Sequence, residues 1–214
     1  MYTYAFTDDT NICLPTGMVG ELTIVEHHGI SAIVEPGFSL QSCETDDRAL
    51  LQAVMIHDCV LRVLFAQTTI LPLRFGTEFA SEHDLLQHLQ ESASDYLNKL
   101  TDLDGKAEYL LKLSPVDCPE EDLNPQLKGR AYFQAKKQLA ERQYEWQQKQ
   151  RTSFEMMLGM MATIGAKFVA GSGHQVHLLL DRANNLQQTV SDWQAHCPFW
   201  QVQVSEELPP YHFV

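Results

Sequence analysis

From Tyr2 to Thr7 aromatic and small residues alternate with a period of two, the pattern of a strand. Short β-branched runs at Leu22–Glu26 and Ile30–Glu35 flank His27-His28-Gly29, which reads as the turn of a hairpin. From Asp47 to Gln67 the period lengthens to that of a helix. This helix is apolar around most of its circumference, with Arg48, Gln52, Asp58 and Arg62 as one narrow polar stripe, so it is predicted to be largely buried. Asp46 and Asp47 at its start complement the helix dipole. Thr69–Phe75 reads as a strand, and Pro72, which has no N–H for a ladder, confines it to an edge or a bulge. Ser81 with Asp84 three residues on marks a capped helix start. Leu85, Leu86, Leu89, Ala93, Tyr96, Leu97 and Leu100 form its apolar face, and Gly105 ends it.

Beyond Gly105 the pattern changes. Lys106–Leu113 reads as a strand, followed by a loop with Pro115, Pro119, Pro125 and the acids Glu120-Glu121-Asp122. Neither Gly nor Pro occurs from Arg130 to Leu158, and strong helix formers dominate there. One helix from about 129 to 164 is predicted, on the order of 50 Å long, which exceeds what a small domain needs. Its middle, Glu141–Ser153, is poor in large apolar residues and is expected to project beyond the core. Gly165 stops it. Two strands, Ala166–Ala170 and Gln175–Leu180, surround the turn Gly171-Ser172-Gly173. A short helix is marked by Leu186, Val190 and Trp193, and Trp200–Ser205 is a last strand.

The predicted fold class is therefore α+β in two domains. Residues 1–105 form an acidic α+β unit of order β-β-β-α-β-α. Residues 106–214 form a β-α-β-β-α-β, ferredoxin-like domain with an extended first helix and a tail at 206–214.

Charge sharpens this division. Residues 1–105 hold 4 Lys/Arg against 16 Asp/Glu, a net −12; residues 106–214 hold 11 against 12, a net −1. An acidic first half repels phosphate backbones, which argues against nucleic acid as a partner. Lys128–Arg151, with seven basic residues and two acids, is the one segment that would attract an acidic partner. No apolar run reaches the roughly 20 residues of a membrane span. The acidic N-terminus has none of the features of a secretion signal, so a cytoplasmic location is expected. The five cysteines, Cys13, Cys43, Cys59, Cys118 and Cys197, show no CxxC spacing.

Candidate chemistry is sparse. His27-His28 has no third partner nearby in sequence, His57-Asp58 points to two helix faces, and His83 and His88 lack the i, i+4 spacing of a zinc helix. Gly171-Ser172-Gly173 joins two strands, whereas phosphate cradles open a helix. No metal, cofactor or catalytic residue is assigned, and a non-enzymatic protein is expected. Met156, Met157, Met160 and Met161 read as the end of the long helix packing on its own sheet.

Several segments together resemble the gas vesicle protein F/L family, most like its cyanobacterial F-type members. They are Leu71-Pro72-Leu73-Arg74-Phe75-Gly76-Thr77, Gly105-Lys106-Ala107-Glu108-Tyr109, Gly129-Arg130-Ala131-Tyr132-Phe133 with Lys136 and Lys137, and the tail Pro209-Pro210-Tyr211-His212-Phe213. Asp47-Arg48-Ala49-Leu50-Leu51 with Val54 and His57-Asp58 adds to them. The resemblance implies an accessory or minor structural protein of gas vesicle assembly, associated with the vesicle, whose partners are the small apolar shell protein and other accessory proteins. The candidate partner-binding residues are Lys136, Lys137, Arg142, Trp146, Lys149 and Arg151 on the long helix, with Arg74 and Tyr211. The alternative is a small-molecule-binding regulatory protein of ferredoxin-like type.

Overall fold

The computed structural model describes residues 1–43, 46–119, 126, 128–163, 167–171, 173–183 and 186–214. The acids Glu120-Glu121-Asp122, the helix stop Gly165 and the turn residue Ser172 lie outside the described residues. The molecule is mixed α+β, with two four-stranded antiparallel sheets and four α-helices among the described residues. It divides into two compact units. The first comprises Met1–Glu108, Asp181–Ala183 and Glu207–Val214; the second comprises Tyr109–Leu180 and Asn184–Glu206.

The first unit is built on β1 (Tyr2–Thr7), β2 (Thr23–His27), β3 (Ile30–Glu35) and β4 (Leu71–Pro72), in the order β2-β3-β1-β4. His28 and Gly29 both take positive φ in the β2–β3 turn, as a tight two-residue hairpin loop requires. Pro72 sits in the edge strand, where its missing N–H costs no ladder bond. That strand is only two residues long, shorter than the Thr69–Phe75 predicted, because the chain beyond it turns into a hydrogen-bonded loop. Every residue of β1 and β3 is buried, so both faces of the sheet are covered. Helix α1 (Asp47–Phe65) brings His57 against Tyr2 and Tyr4; helix α2 (Glu82–Leu103) brings His88 and Tyr96 against Phe6. The register slips between Thr3 and Ala5, a bulge that leaves Tyr4 unpaired with β3. Both helices are capped as the sequence implies. The Asp46 carboxylate accepts from the N–H groups of Arg48 and Ala49, and Ser81 accepts from Asp84 N–H.

In one respect α1 departs from expectation. Leu51 and Met55 are 62% and 65% exposed, and Val54, Cys59 and Val63 are also exposed, so the helix is buried on one face only. The buried side is Ala53, His57, Val60, Leu61, Leu64 and Phe65. Helical periodicity counted apolar residues without revealing which of them the sheet reaches.

The second unit contains β5 (Lys106–Pro115, entering from the first unit), α3 (Arg130–Thr163), β6 (Lys167–Ala170), β7 (Gln175–Asp181), α4 (Leu186–His196) and β8 (Trp200–Val204). Its sheet order is β6-β7-β5-β8. The core gathers Leu111, Leu113, Met157, Met161, Leu178, Trp193, Cys197 and Trp200. Met157 and Met161 are completely buried, as the packed reading of the methionine cluster expects, whereas Met160 is half-buried and Met156 stands 49% exposed.

The projecting part of α3 differs from the predicted one. Trp146 and Gln150 hydrogen-bond the Val116 carbonyl, Trp200 bonds the Gln150 carbonyl, and Ser153 is buried. Packing thus begins at Trp146, and the exposed part is the N-terminal stretch, residues 130–145. The amide and indole groups that look like surface in sequence find partners on β8 and on the chain after β5.

Among the described residues, no helix is long and apolar enough to cross a membrane.

Candidate interaction surfaces

Among the described residues, four arrangements that concentrate polar chemistry stand out, and three of them use it for internal bonds. The first is centred on His57, a buried histidine. Its Nδ1 lies 2.8 Å from the Tyr2 hydroxyl and its Nε2 lies 3.1 Å from the Leu73 carbonyl. The Tyr2 oxygen also accepts the Gly76 N–H at 3.3 Å. The set closes if neutral His57 donates from Nε2 and accepts at Nδ1. Burial pushes the His57 pKa down, against the opposing pull of the Leu73 carbonyl, and burial pushes Tyr2 up to about 12. Further bonds bind the same loop. Thr3 N–H reaches the Thr77 carbonyl, and the Thr77 hydroxyl and N–H both reach the Arg74 carbonyl.

The second is Glu35, completely buried at the end of β3. Its carboxylate accepts from the Tyr4 hydroxyl at 2.5 Å and from the N–H groups of Met18, Val19 and Gly20 at 2.9, 2.6 and 3.0 Å. Burial alone would raise this carboxyl, but the Tyr4 hydroxyl and the three backbone donors outweigh it and hold it below the usual range. Burial and the hydrogen bond to Glu35 raise Tyr4 well above an ordinary phenol. Gly17 lies so close that an added Cβ would stand 2.5 Å from the carboxylate. Sequence reasoning missed this nest. A lone Glu ending a hydrophobic strand, with a Gly-rich loop before it, is the only signal.

The third is the C-terminal tail. Tyr211 donates to Asp58 Oδ1 at 2.6 Å. His212 approaches the fully buried Glu108 through its N–H at 2.9 Å and through Nδ1 at 2.7 Å. Leu208 pairs with Glu108 in both directions through the backbone. Residues 207–214 therefore belong to the first unit, whereas the sequence placed 206–214 with the second domain. Arg182 joins the same unit: its guanidinium lies 3.9 Å over the Phe65 ring and donates to the Phe65 carbonyl at 3.0 Å, at the C-terminal end of α1. A polar cleft of about 440 Å³ opens beside it, lined by Asp8, Gln67, Thr69, Thr101, Asp104 and Arg182.

The fourth is the exposed end of α3. Lys136, Lys137, Arg142, Lys149 and Arg151 are all exposed. Lys137 pairs with Glu141 at 3.6 Å and Arg151 with Glu155 at 3.2 Å, both i, i+4 contacts within the helix. Phe133 and Tyr144 stand 71% and 64% exposed among them. Trp146 is different. Its N–H is bound to Val116 and its ring packs edge-on to Phe199, 4.9 Å between centroids. Arg74 is exposed, while Tyr211 is half-buried with its hydroxyl engaged by Asp58. Burial raises the Tyr211 phenol and the bond to Asp58 raises it further. The eight candidate residues thus sort into surface cations on α3, one surface cation on the β4–α2 loop, and two aromatics tied down by internal hydrogen bonds.

Two crystal structures share this architecture. The gas vesicle protein GvpF from Anabaena sp. PCC7120 superposes with a TM-score of 0.69 at 14% identity, covering 99% of this chain and 96% of that one. GvpF from Microcystis aeruginosa gives 0.66 at 13% identity, covering 99% and 97%. No curated protein sequence matches the chain. Residues 1–214, the full length, match the family described as gas vesicle synthesis protein GvpL/GvpF, and the chain belongs to that family.

Proposed function

We propose that the protein is a non-enzymatic accessory or minor structural component of gas vesicle assembly, and that it works by binding the vesicle shell protein and fellow accessory proteins. The observation that carries this reading is the outward face of α1. Leu51, Met55, Cys59 and Val63 recur every four residues, with Val54 beside them, and all are exposed. Contiguous exposed apolar surface is a mark of a protein interaction site, and it suits an apolar shell subunit. The cations of α3, Lys136, Lys137, Arg142, Lys149 and Arg151, together with Arg74, are read as contacts for more polar partners. The internal bonds of Trp146 and Tyr211 assign those two a supporting role. On this reading the protein resides in the cytoplasm at the vesicle, and its two compact units, the first of which includes the tail Glu207–Val214, act as two domains. The order β6-β7-β5-β8 with two connecting helices supports a ferredoxin-like second domain.

Capture of purified shell protein by the immobilised full chain tests the proposal. The wild type is expected to retain it, and Leu51→Glu with Met55→Glu to lose it while remaining folded by circular dichroism. Equal capture by both would remove the α1 face from the account, and no capture by either would remove shell binding.

A further inference from the structure

The exposed part of α3 is two-sided. The inner row, Ala135, Leu139, Trp146, Gln150, Ser153 and Met157, is half-buried or buried. On the far side Arg130, Phe133, Lys137, Ala140, Tyr144, Gln147 and Arg151 follow one another at alternating steps of three and four. Such spacing places them along one line of a helix. All seven are exposed. The line therefore sets cations beside two large aromatics that stay 71% and 64% exposed among the described residues, with Phe133 meeting the Tyr132 ring edge-on. Aromatics and arginine are enriched in interface cores.

A counterpart exists in the same sequence. On α2 the buried residues are Leu85, Leu89, Leu100 and Leu103. Asp84, Glu91, Asp95 and Asp102 recur at steps of seven, four and seven, which puts them on a single line away from that buried face. All four are exposed, and α2 as a whole carries five acids against Lys99, a net −4. From first to last residue the acidic line runs 18 helical steps and the basic line 21, about 27 and 32 Å at 1.5 Å per residue, so the two are similar in length.

We propose that the outward line of α3 is a docking face for α2 of a second copy of this chain. Opposite charges and similar lengths set the register, and Phe133 and Tyr144 supply the apolar contact. The i, i+4 pairs Lys137–Glu141 and Arg151–Glu155 are exposed and weak, so both cations can exchange partners. The contact joins two different surfaces, and it therefore builds chains or rings of copies rather than requiring a two-fold axis. This inference stands apart from shell binding, since it concerns the purified chain alone.

Sedimentation velocity of the full-length protein is the test, run at low and at high salt. Concentration-dependent association is expected at low salt and is expected to weaken about tenfold or more at high salt. Arg130→Glu, Lys137→Glu and Arg151→Glu together should abolish it, as should Glu91→Lys, Asp95→Lys and Asp102→Lys together, with the helical circular dichroism of each unchanged. Mixing the two reversed proteins should restore association between them. Phe133→Ser with Tyr144→Ser, which alters no charge, should weaken it at both salts. A wild type that stays monomeric at low salt overturns the proposal. So does association that survives either reversal, or reversed proteins that fail to associate when mixed. Loss of binding to another gas vesicle protein in the α3 reversal, with no self-association in the wild type, would assign the face to that other partner instead.

Discussion

The Nδ1 atom of His57 lies 2.8 Å from the hydroxyl of Tyr2, and through this contact one neutral imidazole joins α1, β1 and the loop that follows β4. Its folded pKa is depressed, chiefly by burial. The unfolded chain therefore binds a proton that the folded one refuses. This contribution to stability is fully present above the ordinary histidine pKa of about 6.5 and is lost as pH falls below it, by up to about 1.4 kcal/mol per pH unit. The chain holds nine histidines, so the share of His57 between about pH 5.5 and 6.5 is read from the difference between the wild type and His57→Phe. Urea unfolding across that window should show stability falling with pH in the wild type and a shallower fall in His57→Phe. Identical slopes would show that folding leaves the proton affinity of His57 unchanged.

Glu35 accepts from four donors at once. Glu35→Ala leaves three backbone N–H groups and the Tyr4 hydroxyl without their acceptor. A loss of about 3 kcal/mol or more is expected. Gly17→Ala should also destabilise, because its Cβ meets a carboxylate held by four donors rather than the free end of a flexible chain. Chemical denaturation of both variants checks this, and a change under about 0.5 kcal/mol in Glu35→Ala would contradict it.

The tail makes a separable contribution. Tyr211→Phe removes one charge-assisted hydrogen bond to Asp58 and should cost about 1–2 kcal/mol. Deleting residues 209–214 also strips the buried Glu108 of the two bonds from His212 and should cost more. Thermal unfolding of the two variants should rank them in that order. If truncation leaves the melting temperature unchanged, the tail is not part of the first unit's fold.

Much of the element order was legible because local signals agreed with tertiary demands. The caps Asp46 and Ser81, the edge proline Pro72 and the hairpin His28-Gly29 all do what their chemistry dictates. What periodicity could not supply was long-range: the exposed side of α1, the anchoring of Trp146 to Val116, and the return of the tail to Glu108, 104 residues away in sequence. The segments that carry the family resemblance include two internal knots, the Leu71–Thr77 loop around Tyr2 and His57 and the Tyr211-His212 latch. They therefore report on fold. The candidate binding faces, Leu51–Met55 on α1 and Phe133–Tyr144 on α3, stand outside those bonds, and helical spacing alone does not distinguish such faces from core.

Gas vesicle formation in cells whose own copy of this protein has been deleted is the most direct measurement of the central claim. Vesicles counted by electron microscopy should be absent in the deletion, return with the wild-type chain, and fail to return with the folded Leu51→Glu, Met55→Glu variant. Normal vesicle numbers in the deletion strain, or full recovery with that variant, would contradict the claim that this protein serves vesicle assembly through its exposed α1 face.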